Sequence, residues 1–132
     1  MLENIKSFIL ERLKEFEGNE FEICDLGSKL SESENCNGSW YCSRYKAEQE
    51  IKDNWDFCKS FFEYYESNFD QELNPFDSEN FHCLMMIFAV GNAFDYAISN
   101  IEIDNDERIE IDEEFISKIE TGLQNLELDY IF

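Results

Sequence analysis

Phe81-His-Cys-Leu-Met-Met-Ile-Phe-Ala-Val-Gly-Asn-Ala-Phe94 is the stretch that decides how this chain folds. Counting histidine as neutral, no charged side chain interrupts it between His82 and Phe94. In a water-soluble chain, a helix that is apolar on every side belongs at the centre of the core, with other elements laid around it. The spacing predicts that helix at about 79–99. Asn74-Pro75-Phe76-Asp77-Ser78 supplies its start, because proline disfavours helix before it and Asp77 or Ser78 can cap the new helix. Gly91 is expected to permit a close helix crossing. The apolar run from Phe81 to Phe94 is shorter than the roughly 20 residues a bilayer demands, so no membrane span is expected.

Upstream of the central helix, Ala47, Ile51, Trp55 or Asn54, Cys58, Phe61 or Phe62, Tyr65 and Phe69 recur in three- and four-residue steps. They predict one long helix, with Ser43 as its N-cap, fading over residues 68–73. Further upstream, Ser31 to Ser39 reads as a loop whose Asn37-Gly38 pair is a tight-turn signal, with a short strand after it at Ser39-Trp40-Tyr41-Cys42. A first amphipathic helix carries Leu2, Ile5, Ile9, Leu13 and Phe16, and stops near Gly18-Asn19. A shorter one carries Ile23, Leu26 and Leu30, with Gly27 allowing close approach. Downstream, Ile101-Glu-Ile103 and Ile109-Glu-Ile111 alternate with period two and predict two short strands around an acidic turn. Asp112 then caps a final helix whose apolar face is Phe115, Ile116, Ile119, Leu123 and Leu126. The fold class expected is mostly α (α+β): about five helices around a buried central helix, with a small β-element.

The chain carries 31 acidic residues against 10 basic ones, a formal charge of −21 in 132 residues. Acidity on this scale can signal disorder, but disordered acidic chains are poor in aromatics. Here 16% of residues are aromatic and 43% hydrophobic, while proline occurs once and glycine five times. That composition supports a core and leaves little for linkers, so residues 1–132 are expected to form a single compact acidic domain.

Five cysteines (Cys24, Cys36, Cys42, Cys58 and Cys83) make an odd number without a compact disulfide pattern, and the N-terminus lacks the uninterrupted apolar region of a signal peptide. Reduced thiols and a cytoplasmic location are therefore expected, with Cys24, Cys58 and Cys83 buried, no native disulfide, and Cys36 the first to react.

The motifs of chemistry are weak. Asp104 and Asp106 fit the first and third positions of a calcium loop, but Arg108, Ile109 and Phe115 stand where an oxygen ligand, a glycine and a bidentate glutamate are needed. A solvated acidic turn is the better reading. No CxxC pair occurs, and His82 and Cys83 are adjacent, so on a helix they diverge by about 100°. His82 is also the single histidine available as a base, and no phosphate loop, GxSxG or HExxH is present. No catalytic residue, metal ligand or cofactor is assigned, and a non-enzymatic role is expected.

From Ser60 to Glu107 there is no lysine or arginine, yet the stretch holds eleven acids. Such a charge costs folding energy through self-repulsion and is suited to a basic partner. Direct nucleic-acid binding is opposed by its sign, since contacts to phosphates need lysine and arginine. The acids expected to make the contact are Glu102, Asp104, Asp106, Glu107, Glu110, Asp112 and Glu113, with Glu63, Glu66, Asp70 and Glu72 as a second patch. An apolar interaction or assembly module, acidic for solubility, is the alternative. It would use Phe61-Phe62-Glu-Tyr64-Tyr65 and the tail Leu128-Asp-Tyr130-Ile131-Phe132, and would include a homodimer.

Asn37-Gly-Ser-Trp-Tyr-Cys-Ser-Arg-Tyr-Lys-Ala47, with Ile51 beyond it, and Asn74-Pro-Phe-Asp-Ser-Glu-Asn-Phe-His82 carry a resemblance. Over roughly residues 20–125 the chain resembles a family of small, acidic, uncharacterised proteins carried on phages and other mobile elements of Gram-positive bacteria. The shared motifs are structural and name no chemistry, and the cysteines are not part of them. The resemblance implies a mobile element in a bacterial cytoplasm. By analogy with inhibitors of host nucleases from such elements, anti-CRISPR proteins among them, it implies a nucleic-acid mimic. The partner expected is a basic nucleic-acid-binding protein such as a CRISPR effector or another host nuclease.

Overall fold

The computed structural model describes residues 1–31, 44–74, 76–104 and 106–132, with the backbone alone for 44–46 and 79. The predicted loop beyond Ser31, the strand at 39–42 and the Ser43 cap lie outside them. Seven helices and one two-stranded antiparallel sheet occur among the described residues, which makes the protein mostly α with a small β-element. In chain order these are α1 (Leu2–Glu15), β1 (Glu20–Glu22), α2 (Ile23–Leu30), α3 (Arg44–Asp53), α4 (Trp55–Asn68), α5 (Ser78–Asn100), β2 (Arg108–Glu110), α6 (Glu113–Gly122) and α7 (Leu128–Ile131).

Helix α5 is the central element the sequence predicts. Phe81, Met85, Met86, Ala89, Val90, Ala93, Phe94, Ala97 and Ile98 are buried along it, and α1, α2, α3, α6 and α7 all pack against it. Each large apolar side chain removed from water there contributes on the order of 1.5–3 kcal/mol. The helix, Ser78–Asn100, matches the predicted 79–99, and it extends the apolar run beyond the Phe81–Phe94 segment that was judged too short for a bilayer. Asn80–Asn100 spans 21 residues at a mean hydropathy of 1.4, long and apolar enough to cross a membrane by length and composition. In this fold its apolar surface is instead spent on neighbouring helices.

The close crossing lies elsewhere than expected. Space is open beside Gly91, whereas a Cβ on Gly122 would stand 2.8 Å from the Ala97 carbonyl oxygen. Gly122 therefore lets α6 approach the small-residue face of α5, while Gly27 rests against the Phe94 ring as expected.

The predicted long helix over 44–69 is two helices. Asn54 leaves helical geometry at φ −125°, ψ 41°, and its side-chain amide donates to the Glu50 carbonyl oxygen at 3.0 Å and to Glu50 Oε2 at 2.7 Å. The Asn54 N–H also donates to the Glu50 carbonyl oxygen at 3.0 Å, so the side chain adds a second bond at the end of α3, and α4 restarts at Trp55. Asp77 holds the N-cap position of α5 without a side-chain cap bond. Asn74 organises that turn, its Oδ1 accepting from the Phe76 N–H at 3.0 Å.

The predicted hairpin between 101–103 and 109–111 does not form. Glu102 sits at φ 56°, in the left-handed region, and breaks the first segment. Strand β2 pairs instead with β1, in the register Glu20↔Glu110, Phe21↔Ile109 and Glu22↔Arg108. Gly18, at φ 90°, turns the chain from α1 into β1 and donates its N–H to the Ile111 oxygen at 2.8 Å.

An aromatic cluster closes one end of the core. Phe61 contacts the rings of Tyr65, Phe81, Phe88 and Phe132. The tail forms α7, with Ile131 buried and Phe132 packed on Phe57, Phe61 and Tyr64. Phe62 and Tyr64 are half-buried against the same core. The clusters proposed as apolar contact sites are thus mostly consumed internally.

Two cysteine expectations are overturned. Cys83 is disulfide-bonded, so the chain does carry a disulfide. Short spacing was the wrong criterion, since pairing requires only that two Cβ atoms meet in space. The cysteine argument for a reducing compartment goes with it. Cys24 is exposed, one residue off the Ile23, Leu26, Leu30 stripe that α2 buries.

Candidate acidic interface

The β1–β2 ribbon gathers charge in a way periodicity alone could not show. Alternation along each strand turns Phe21 and Ile109 inward to half-buried positions and leaves Glu20, Glu22, Arg108 and Glu110 on the outer face. Ile111 N–H donates to Asn19 O at 2.9 Å and Ile23 N–H to Glu107 O at 3.0 Å. In this register Glu20 and Glu110 form a non-hydrogen-bonded pair, the kind that brings opposed side chains closest. Like charges directly opposite destabilise a strand pair. Arg108 Nε relieves part of this with a 3.3 Å contact to Glu20 Oε2, but both side chains are about 60% exposed and the pair is worth little.

The predicted primary patch surrounds this ribbon. Glu102, Asp104, Asp106 and Glu107 are exposed on the segment leading into β2, tightened by the Glu107 N–H to Asp104 O bond of 3.1 Å. Glu110 lies on β2, and Asp112 and Glu113 come next at the start of α6, all exposed. Asp112 has a structural task as well, since its Oδ1 accepts from the Phe115 N–H at 2.8 Å and caps α6. Glu113 and Glu114 occupy the first turn, where the helix macrodipole favours anions. Glu20 and Glu22 join this patch through the strand pairing, and sequence reasoning missed them. Only the long-range register brings them in, although their own period-two alternation around Phe21 was visible.

The second patch rests on other elements. Glu63 and Glu66 are exposed on α4, and Asp70 and Glu72 on the segment just after it. That segment is tied back by Tyr65 OH donating to Gln71 Oε1 at 2.9 Å. None of the eleven predicted acids is buried.

Two groups that nucleophilic chemistry would call on, His82 and Cys58, are enclosed, while Cys24 is exposed. His82 is 1% exposed, and desolvation holds its pKa down at about 4, so it is neutral at pH 7. Burial, with a further push from the Glu50 carboxylate, raises the Cys58 thiol to about 12. The donor atoms of Glu22, Cys24 and Asp25, at the start of α2, lie within 4.8 Å of one another, and all three residues are exposed. Exposed acidic groups are commonly this close without an ion. What the surface offers chemically is a dense field of solvated carboxylates, suited to meeting lysines and arginines.

No family model matches the chain. No curated protein is significantly similar to it. No solved structure matches it.

Proposed function

We propose that this protein is a non-enzymatic inhibitor that occupies a basic nucleic-acid-binding surface of a host protein, a nucleic-acid mimic of the anti-CRISPR kind. The observation that carries the reading is the ribbon with its flanks. There the fold accepts Glu20 facing Glu110 beside Glu22, Glu107, Asp106 and Asp104, an arrangement that works against its own stability. A charge serving solubility alone is more cheaply spread apart. A partner built to receive phosphates carries the complementary lysines and arginines, and the carboxylates compete for them.

Immobilised protein should capture such a partner from a bacterial host lysate at low salt, and added DNA or RNA should displace it. Binding should weaken steeply as ionic strength rises, because screening shortens the Debye length from about 10 Å at 0.1 M salt to about 3 Å at 1 M. Capture indifferent to both salt and competing nucleic acid would end this reading.

A further inference from the structure

We propose that the cleft opened by the break between α3 and α4 receives a lysine- or arginine-bearing segment of the basic partner. This rests on the function proposed above and assigns a specific anchor point to it. Asn54 turns the chain out of α3, which leaves Trp55 at the first position of α4 with 49% of its surface exposed. Beside it lies a cavity of about 700 Å³, within the 300–1,000 Å³ range of typical ligand clefts. Trp55, Phe57, Leu2 and Leu128 form its apolar wall, and Glu3, Asp53 and Asp56 bring carboxylates to it.

An aromatic face, an apolar wall and carboxylates together suit a cation carried on a methylene stem. The stem contacts the wall, and the cation lies over the indole and against a carboxylate. The field of a chain with net charge −21 excludes anionic occupants and favours this one. The cleft holds a cation of its own, Lys52, and two of its acids are engaged: Glu3 with Lys6 at 3.3 Å and Asp53 with Gln49 at 2.9 Å. Asp56 accepts no hydrogen bond and joins no ion pair among the described residues. It lies in the first turn of α4, a position the helix macrodipole favours for an acidic side chain. The guest cation is therefore expected at Asp56, against Trp55.

The test uses the full chain with Trp40→Phe, which leaves Trp55 as its single tryptophan. Titration with an arginine-rich peptide should give a saturable change in Trp55 fluorescence, and a glutamine-rich peptide of equal length should give none. Asp56→Asn, confirmed by its melting curve to be folded, should weaken binding about tenfold, the loss of one charge-assisted contact. Glu20→Gln/Glu110→Gln, which alters the ribbon and not the cleft, should leave the Trp55 response in place. Equal responses to the two peptides, or affinity unchanged by Asp56→Asn, would overturn the cleft assignment. Because the peptide reports on the cleft directly, failed capture of a partner from lysate would count against the inhibitor reading and not against this site. Conversely, a partner captured through the ribbon while Trp55 stays silent would remove the cleft and leave the inhibitor reading intact.

Discussion

Phe61 is surrounded by aromatic rings, and Glu110 faces another glutamate across the β-ribbon. Both are contacts of like with like, and their physics is opposite. Rings brought together leave water and pack, so stability accumulates around α5 and the α4–α7 cluster. Carboxylates brought together repel, so the ribbon and its flanks draw on the stability supplied elsewhere. At the ribbon, charge thus gathers away from the aromatic cluster, whereas Glu63 and Glu66 sit on the solvent side of α4, whose other face is that cluster. Stability from the core offsets the self-repulsion of a net charge of −21.

Removing the centre of the aromatic cluster should do most to break the contrast. Phe61→Ala should cost about 3–5 kcal/mol in denaturant unfolding, because it empties a site bounded by four rings. Phe76→Ala, at a residue 84% exposed, should stay within about 0.5 kcal/mol of the parent. If the two losses were similar, cohesion would not be concentrated where the structure puts it.

The disulfide at Cys83 comes next. Dithiothreitol should lower the stability by about 2–4 kcal/mol, read as a fall in melting temperature, and an unmoved melting curve would contradict a native disulfide. Thiol labelling sharpens the point: Cys24 should react quickly in the folded state, and Cys58 only on unfolding.

His82 tests the enclosure of the core. Burial depresses its folded pKa to about 4 from an ordinary 6.5. Between those values the unfolded chain binds the proton and the folded chain does not. Its contribution to stability is therefore full above pH 6.5 and is lost as pH falls toward 4, at up to about 1.4 kcal/mol per pH unit. The single imidazole should titrate near pH 4 in proton NMR, and a midpoint near 6.5 would place His82 in solvent.

Smaller effects belong to the acidic region. Asp112→Ala should cost about 1 kcal/mol by removing the α6 cap. Glu110→Gln should instead stabilise by a few tenths of a kcal/mol at low salt, and the gain should fade in 1 M salt.

Much of this architecture was legible in the sequence. Helices α1, α2, α5 and α6 match three- and four-residue apolar spacing, and the Asp112 cap matches residue type. The misses share one cause, interactions that periodicity does not encode. Ile51, Cys58 and Phe61 continue a helical stripe straight through Asn54, and nothing in that stripe marks the departure of Asn54 from helical geometry. The 101–103 segment alternates as well as 109–111 does, but the partner of β2 lies some ninety residues upstream. The Cys83 disulfide likewise is not marked by any local spacing of cysteines. For the site, the predicted acids are exposed because isolated carboxylates stay in water. Glu20 and Glu22 entered the patch only through the strand register.

The central claim is that the ribbon keeps charge that harms its own fold because that charge binds a partner. It is tested most directly by Glu20→Gln/Glu22→Gln/Glu107→Gln/Glu110→Gln, assayed for displacement of a fluorescent oligonucleotide from the captured partner. The account predicts a variant that melts higher than the parent and displaces the oligonucleotide at least tenfold less well, a loss of about 1.4 kcal/mol or more in binding. A variant that melts higher and displaces as well as the parent would contradict it.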